Sequence, residues 1–267
     1  MMAAPRGQIV SIRLSTTSAI PRSSSETQQT NLIKRAGLGL ARHWLLFVNL
    51  LIAIWVGLPW LAPVFMHVGW TSAGKAIYLI YSFQCHQLPE RSFFLFGKQA
   101  MYSLAEIQAA WQTTTDPFIL RQFVGNPEMG WKVAWSDRMV SMYTSILPAG
   151  LLYGLLHKRL KPLSFRKFAL LLLPMAIDGG THMVSDRAGI GQGFRDTNAW
   201  LQMITNDAFS MAFYQGDALG SFNSWMRLIT GLLFGFALVG FAFPYITGAF
   251  SDIFRRNEDT LMKGLGQ

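Results

Sequence analysis

The residues best able to do chemistry in this chain are ionisable residues that interrupt or flank long apolar runs. Asp178 and His182 lie inside one such run, and Arg138 and Arg227 open two others. Ionisable groups at membrane depth are rare and costly, so by default they mark a functional site. The i, i+4 spacing puts Asp178 and His182 on one helix face, where an aspartate that orients a histidine makes a usable base. We therefore take these two residues as the candidate catalytic pair.

Arginines form the second set of candidates, because their planar guanidinium donors suit phosphate and carboxylate groups. Arg91, Arg138 and Arg227 are predicted to hold an anion. The leading hypothesis is an outward-facing polar site that binds a lipid headgroup or a small anionic ligand and could also act on it. Binding and catalysis would use the same residues, so the sequence leaves open whether the protein is an enzyme.

Cysteine and histidine suggest a different hypothesis, a metal or redox-cofactor site. Cys85 and His86 are adjacent, and with Asp178 and His182 they are the candidate metal ligands, since thiolate, imidazole and carboxylate all bind transition metals. Neighbouring helical residues point about 100° apart, so Cys85 and His86 share one ion only if a helix ends there. A single cysteine excludes an intramolecular disulfide and a multi-cysteine zinc site. No particular cofactor is indicated.

Composition indicates that these residues belong to a membrane protein. Hydrophobic residues make up 51% of the 267 positions and charged residues 14%, against roughly 25% charged residues in soluble domains. Twenty phenylalanines and nine tryptophans fit a bilayer with aromatic interfaces. The net charge of +9 does not indicate nucleic-acid binding, because the basic residues gather at the flanks of apolar runs rather than over one face. The expected partner is therefore the lipid bilayer.

Four apolar runs are long enough to cross a hydrocarbon core of roughly 30 Å as helices. They predict an all-α fold with transmembrane helices at about 43–66, 139–156, 165–184 and 225–246. The run 76–83 is too short to span alone and predicts a half-helix, with a fifth crossing as the second choice. The stretch 89–137 is amphipathic, and its aromatic residues predict a helix lying on the membrane surface in the extracytoplasmic loop.

The third run sets the depth of the candidate catalytic pair. Its uninterrupted apolar part, 168–177, has ten residues, or about 15 Å of helix, which is half of the hydrocarbon thickness. If Lys167 marks the cytoplasmic surface, Asp178 lies near the bilayer midplane and His182 one turn further out. An aspartate at that depth must be protonated, paired or exposed to a water-filled cavity.

Basic residues orient the four helices. Six precede residue 43 and five lie in 158–167 without an acid, whereas 89–138 balances five basic residues with five acids and 185–224 has two against four. By the positive-inside rule both termini are cytoplasmic. We predict a multi-pass protein of the plasma (inner) membrane. Its predicted parts are a disordered basic tail (1–42), a single helical membrane domain (43–250) and a cytoplasmic tail (251–267).

Three motifs carry a resemblance to a known family. They are Cys85-His86-Gln87 followed by Arg91-Ser92-Phe93, the segment 174–179 that ends in Asp178-Gly179, and the segment from Arg227 to Gly235. Over roughly residues 75–245 the chain resembles a bacterial membrane-protein family catalogued as domain of unknown function 2085. The resemblance implies a membrane location and a helical fold, and it implies no established activity.

One departure from the family pattern affects the predicted site. Where the family has Cys-x-Arg-Cys, this chain has Ser136, Asp137, Arg138 and Met139, which keeps the arginine and the later Tyr143. The missing cysteines weigh against a metal or redox role. With the family motifs included, the expected ligand-binding residues are Cys85, His86, Gln87, Arg91, Arg138, Tyr143, Asp178 and Arg227.

A non-enzymatic role is the alternative to ligand binding. The chain would then be an assembly or partner subunit of a larger membrane complex, with the wide outer loop 89–137 as its docking surface. In that case the polar residues would form a structural network. A constant membrane-protein partner would distinguish this role from a self-sufficient binding site.

Overall fold

The computed structural model of the protein describes residues 37–265, with side chains described as far as residue 255. From Ala41 onward, the described residues form one compact unit. Its elements are α1 (Trp44–His67), α2 (Thr71–Tyr81), β1 (Ser92–Leu95), α3 (Leu104–Ala110), α4 (Pro117–Leu120), β2 (Gly125–Asn126), β3 (Gly130–Ser136), α5 (Asp137–Thr144), α6 (Ile146–Leu156), α7 (Phe165–Ser185), α8 (Phe194–Thr197), α9 (Ala199–Thr205), α10 (Met211–Tyr214) and α11 (Phe222–Leu265). Short 3₁₀ turns lie between these elements at Pro89–Arg91 and Asp186–Ala188. The predicted tail 1–42 lies outside the described residues as far as residue 36.

Four helical segments of the described chain are long and apolar enough to cross a membrane. They are Trp44–His67, Asp137–Leu156, Phe165–Ala188 and Phe222–Arg255. They confirm the four predicted spans. The second consists of two consecutive helices, α5 and α6, that meet at Ser145. Helix α11 continues to Leu265, past the predicted end at 246, because a hydrophobicity pattern marks only the apolar part of a helix.

Helix α2 occupies the run for which a fifth crossing was the second choice. It has 11 residues, or about 16 Å of helix, which is too short to span the hydrocarbon core. The helix packs against α1. At Gly74 an added Cβ would lie 2.8 Å from the sulfur of Met66, so the two helices approach closely there. The half-helix prediction therefore agrees with the structure.

A small antiparallel sheet corrects the all-α prediction. Its strand order is β1-β3-β2, and Phe94 pairs with Lys132 across the first two strands. The surface helix predicted from the aromatic residues of 89–137 is wrong, because several of them turn inward. Phe94, Tyr102 and Ile107 form a buried cluster with Phe123 and Met129. The aromatic and β-branched residues of β3 favour a strand, and pairing with β1 and β2 overrides the helical reading of this region.

Aromatic side chains join α1 and α2 to the sheet. The ring of Tyr81 lies 4.9 Å from that of Trp55 and 5.2 Å from that of Trp135, measured between centroids. The Tyr81 hydroxyl donates a hydrogen bond to the carbonyl oxygen of Trp55 over 2.7 Å. Such edge and tilted contacts stabilise beyond the area that they bury. They hold the end of α2, and hence the segment that follows it, against β3.

Helices α5 and α11 touch at two glycines. A Cβ at Gly231 would overlap the hydroxyl of Ser141, and a Cβ at Gly235 would overlap that of Ser145. The Ser141 hydroxyl donates a hydrogen bond to the carbonyl oxygen of Arg227 over 3.2 Å. Small residues at i, i+4 allow this close approach of two helices in a membrane. It places Arg227 beside the first turn of α5.

Candidate functional site

Asp178 lies between two arginines that come from different parts of the chain. Arg138 Nη2 lies 2.8 Å from Asp178 Oδ2, and Arg195 Nη2 donates to Asp178 Oδ1 over 2.8 Å. Asp178 is 2% exposed. The sequence analysis allowed three states for Asp178: protonated, paired or exposed to a water-filled cavity. The structure shows the paired state. Arg195, at the start of the loop that follows α7, was not among the predicted residues.

Asp217 is a second carboxylate that joins two arginines. Arg91 Nε donates to Asp217 Oδ2 over 2.7 Å, and Arg227 Nη1 donates to Asp217 Oδ1 over 2.5 Å. Burial would raise the pKa of Asp217, but the guanidinium groups of Arg91 and Arg227 outweigh it and hold that pKa well below its ordinary value. Asp217 is therefore ionised and ties the two arginines together.

Two further aspartates complete the pairing. Asp186 accepts a bidentate pair of 2.7 Å hydrogen bonds from Arg91, and Asp137 accepts bonds of 2.8 and 2.9 Å from Arg227 Nε. Four arginines thus face four aspartates: Arg91, Arg138, Arg195 and Arg227 with Asp137, Asp178, Asp186 and Asp217. Buried charges require partners of this kind, and the formal charges of the network cancel.

His182 lies within this network, on the buried face that it shares with Asp178. Its Nδ1 lies 2.9 Å from the carbonyl oxygen of Asp178 and 3.5 Å from that residue's Oδ1. Its Nε2 lies 3.4 Å from Arg227 Nη1. A neutral imidazole protonated at Nδ1 satisfies these contacts, because Nδ1 then donates to the carbonyl and Nε2 keeps its lone pair. The backbone of Asp178 orients the ring more closely than its carboxylate does.

A cavity of about 330 Å³ opens beside the network, between the start of α5 and the end of α7. We call it the Arg138 cavity. Seven predicted site residues line it: Cys85, His86, Gln87, Arg91, Arg138, His182 and Arg227. The structure therefore brings together motifs that are far apart in the chain. Asp178 is outside its lining, although it pairs with Arg138.

Tyr143 is the predicted site residue that lies apart from the others. Its ring stacks on Trp135 with a centroid separation of 4.9 Å, in the aromatic cluster between α1 and the sheet. It is absent from the residues that line the Arg138 cavity. Tyr143 therefore lies outside the Arg138 cavity, because the face of α5 that carries it packs on β3 and α1.

The Cys85-His86-Gln87 segment is fixed to the sheet. The sulfur of Cys85 lies 3.3 Å from the backbone nitrogen of Gln87 and 3.4 Å from that of Ser136. The Gln87 side chain donates to the carbonyl oxygens of Tyr78 and Ala134 over 2.8 and 3.1 Å. Gln87 thus clamps the segment between α2 and β3.

The candidate metal ligands are not arranged as a metal site. Cys85 is buried while His86 is exposed, and Asp178 is held by two arginines. Among the described residues, no group of three or more His, Cys, Asp or Glu side chains could hold a metal ion. The metal hypothesis therefore has no geometric support in this part of the chain.

Four charged residues of the network were missed: Asp137, Asp186, Asp217 and Arg195. The sequence held a signal for two of them, because each buried arginine needs a counter-ion and two of the missed acids lie close in sequence to predicted residues. Asp137 precedes Arg138, and Asp186 follows the candidate pair by four residues. Asp217 lies in a Gly- and Asp-rich loop, and nothing local distinguishes it from the other acids of that loop.

The four apolar helices define a multi-pass membrane protein, and three of them contribute charged residues to the polar network. Residues 128–241 match the model of a family described as "Predicted membrane protein (DUF2085)". The chain is also similar to the Uncharacterized protein MJ1492 of Methanocaldococcus jannaschii, with 27% identity over 163 residues, which cover 58% of this chain and 78% of that relative. No solved structure matches the chain.

These matches bear on two predictions. The family match supports the resemblance to domain of unknown function 2085, and its range contains Arg138, Asp178 and Arg227. The relative is archaeal, so the bacterial origin that accompanied the resemblance is not confirmed.

Proposed function

We propose that the Arg138 cavity binds an anionic group at the outer side of the membrane, either a lipid headgroup or a small soluble anion. The observation that supports this is the bonding of Arg138. Arg91, Arg195 and Arg227 each donate hydrogen bonds from all three side-chain nitrogens. Among the described residues, only Nη2 of Arg138 has a partner, Asp178 Oδ2. Its Nε and Nη1 are the donors available to a ligand.

The surroundings of Arg138 suit a bound anion. Three arginines and His182 line the cavity with one aspartate, Asp186. Apolar side chains such as Leu88, Met139 and Met183 form much of the remaining wall, and an apolar wall strengthens the attraction between a guanidinium and an anion. Gly179 leaves room for the guanidinium, since a Cβ there would lie 2.8 Å from Arg138 Nη1.

The cavity position favours a lipid over a wholly soluble ligand. Met139 and Met183 belong to two segments long and apolar enough to span a membrane, and Met183 is 67% exposed. A lipid in the outer leaflet would therefore reach the cavity between these segments without leaving the bilayer. A soluble anion would need access from the aqueous side.

Substitution of Arg138 tests the proposal. Arg138→Gln removes the charge and should weaken binding of phosphatidylglycerol, measured by native mass spectrometry of the purified protein, roughly ten- to hundredfold. Arg187→Gln is the matched control, because Arg187 is exposed on the turn after α7 and carries the same charge. Inorganic phosphate added in competition distinguishes a soluble anion from a lipid. Equal lipid binding by the two variants would contradict the proposal.

Asp178 and His182 supply the groups for proton transfer in the same proposal. His182 lines the cavity and keeps an unprotonated Nε2 in the assigned tautomer. Asp178 sets the position of Arg138 and of the imidazole. Asp178→Asn should therefore abolish any turnover of the ligand. If this variant leaves binding and cellular phenotype intact, an acid–base role for Asp178 is wrong.

A role as a partner subunit has one observation in its favour. Met203 is 83% exposed and Ile204 74% exposed, and both lie on α9 in the loop before α11. The loop 89–137, which the sequence favoured as a docking surface, instead buries its aromatic residues in its own core. Purification in mild detergent tests this role: a constant partner that Met203→Ser with Ile204→Ser releases would support it, and a monodisperse, lipid-binding single chain would contradict it.

A further inference from the structure

A second cavity carries the opposite charge. It has a volume of about 350 Å³ and lies between the turn Pro89–Arg91, the start of α3 and the loop before α11. We call it the Glu90 cavity. Its lining includes three acidic residues, Glu90, Asp196 and Asp217, and no lysine or arginine belongs to the described residues that line it. Asp217 is already bonded to two arginines, so Glu90 and Asp196 are the acceptors available to a ligand.

Glu90 is a buried carboxyl group that the described chain does not satisfy. The residue is 2% exposed, and neither of its oxygens accepts a hydrogen bond from any described residue. Arg91 Nε lies 4.0 Å from Glu90 Oε1 but donates to Asp217 instead. An unpaired carboxyl group away from water is costly. An ionised Glu90 therefore needs hydrogen-bond donors beyond those that the described residues supply.

Lys132 does not supply those donors, although it acts electrostatically on Glu90. Its side chain is fully buried, and its ammonium group donates to the carbonyl oxygens of Gln87 and Arg121 over 2.7 Å each. These bonds attach Lys132 to the backbone of two other segments and not to Glu90. The charged groups that act on Glu90 are thus Arg91, Asp217 and Lys132, and each has other partners.

We propose that the Glu90 cavity binds a small molecule that carries a primary ammonium group, with Glu90 as the main acceptor. An ammonium group brings three N–H donors and a positive charge, which match two unsatisfied oxygens in an acidic cavity. A quaternary ammonium has the charge without the donors. Ser103, Gln108 and Gln215 offer further polar contacts in the wall.

Metal ions are a poorer fit to this cavity. Among the described residues, no three carboxylate, cysteine or histidine side chains are grouped closely enough to hold a metal. Asp196 accepts a hydrogen bond from the backbone of Gly193 over 2.7 Å, which leaves one of its oxygens for a ligand. A direct metal contact requires several carboxylate oxygens to converge, and the described residues form no such group.

The ionisation of Glu90 should make ligand binding at this site depend on pH. Burial raises the pKa of Glu90 to about 7, against the opposing charge of Arg91. A cation binds to the ionised carboxylate, so its binding should strengthen as the pH rises through that value. This dependence separates Glu90 from Asp217, whose pKa is held low.

Calorimetry on the full chain in dodecyl maltoside tests the proposal with ethanolamine and choline as probes. We expect ethanolamine to bind the wild type, choline to bind at least about tenfold more weakly, and ethanolamine affinity to fall about tenfold between pH 8 and pH 6. Glu90→Gln should lose at least about tenfold in ethanolamine affinity. Asp207→Asn, which removes an exposed acid of the same loop, should retain it.

Three results would overturn the proposal: no ethanolamine binding by the wild type, equal affinity of Glu90→Gln and Asp207→Asn, or equal affinity for choline and ethanolamine. The last comparison needs only the wild type, so it holds even where Glu90→Gln does not fold. Nanodiscs of phosphatidylglycerol with and without phosphatidylethanolamine identify the source. If the amine lipid displaces ethanolamine, the ammonium group comes from a lipid headgroup, and otherwise it comes from a free amine.

Discussion

Arg227 Nε lies 2.8 and 2.9 Å from the two carboxylate oxygens of Asp137, and this pair joins the first residue of the segment Asp137–Leu156 to the first turns of Phe222–Arg255. Both side chains are almost fully buried. Removing one partner leaves a buried charge without compensation, so Arg227→Leu and Asp137→Leu should each lower the free energy of unfolding by about 3–5 kcal/mol. Equilibrium unfolding in mixed micelles measures the change.

The double variant and an exposed pair provide the controls. The double variant Asp137→Leu with Arg227→Leu should lower the free energy of unfolding by less than the sum of the single variants, because it leaves neither charge of the pair buried without its partner. Asp217 still pairs with Arg91 in this variant. Lys98→Leu breaks an exposed pair with Glu128 and should leave stability nearly unchanged. Additive costs for Asp137 and Arg227 would show that the two residues do not act as a pair.

Gly231→Ala should destabilise the packing of α5 on α11. The added methyl group would overlap the Ser141 hydroxyl and lie 3.0 Å from the backbone nitrogen of Met142, and a backbone cannot move aside as a flexible side chain can. We expect a loss of about 1–3 kcal/mol in unfolding free energy. Gly180→Ala is the matched control, since no atom lies within 4 Å of its Cβ position. Equal stability of the two variants would contradict close packing at Gly231.

Gly179→Ala should affect binding more than stability. Its methyl group would lie 2.8 Å from Arg138 Nη1, and the long arginine side chain can move away at little cost to the fold. The proposed anion site would lose its positioned donor. We expect phosphatidylglycerol binding to fall severalfold in native mass spectrometry, with an unfolding midpoint close to that of Gly180→Ala. Full lipid affinity in Gly179→Ala would count against Arg138 as the contact.

Glu90→Gln should stabilise the protein in a pH-dependent way. Because burial raises the pKa of Glu90 from 4.5 to about 7, the folded chain keeps a proton that the unfolded chain releases, and stability falls as the pH rises from about 4.5 to about 7. Glutamine has no such proton. The variant should melt several degrees above the wild type at pH 8 and close to it at pH 4.5, by differential scanning fluorimetry without added amine. A pH-independent difference would contradict the raised pKa.

Lys132 should show the opposite pH dependence of stability, and it therefore serves as a check on the Glu90 prediction. Burial lowers the pKa of Lys132 from 10.5 to about 7, so the unfolded chain binds more protons between those values and stability rises with pH across that interval. Lys132→Met should therefore remove the rise above pH 7 and leave the fall below it. The two titrations together predict a stability minimum near pH 7 for the wild type.

Sequence reasoning recovered the spans because their signal is local. A run of twenty or so apolar residues marks a membrane helix regardless of what surrounds it. Arg138, Arg227 and Asp178 were also found, since an ionisable residue that opens or interrupts an apolar run stands out by itself. Their convergence followed only as an expectation, because the direction in which Arg138 and Arg227 turn depends on their partners.

The tertiary structure decided what the local signals leave open. The strand β3 forms because β1 and β2 pair with it, and its residues read as part of an amphipathic helix until those partners are known. Asp217 becomes the counter-ion of Arg91 and Arg227 although it is 126 residues from the first of them in sequence. The lack of a hydrogen-bond donor for Glu90 among the described residues is likewise a property of the folded chain. Local sequence thus determined which segments enter the membrane, and long-range packing determined which charges meet, because burial and pairing are properties of the assembled chain.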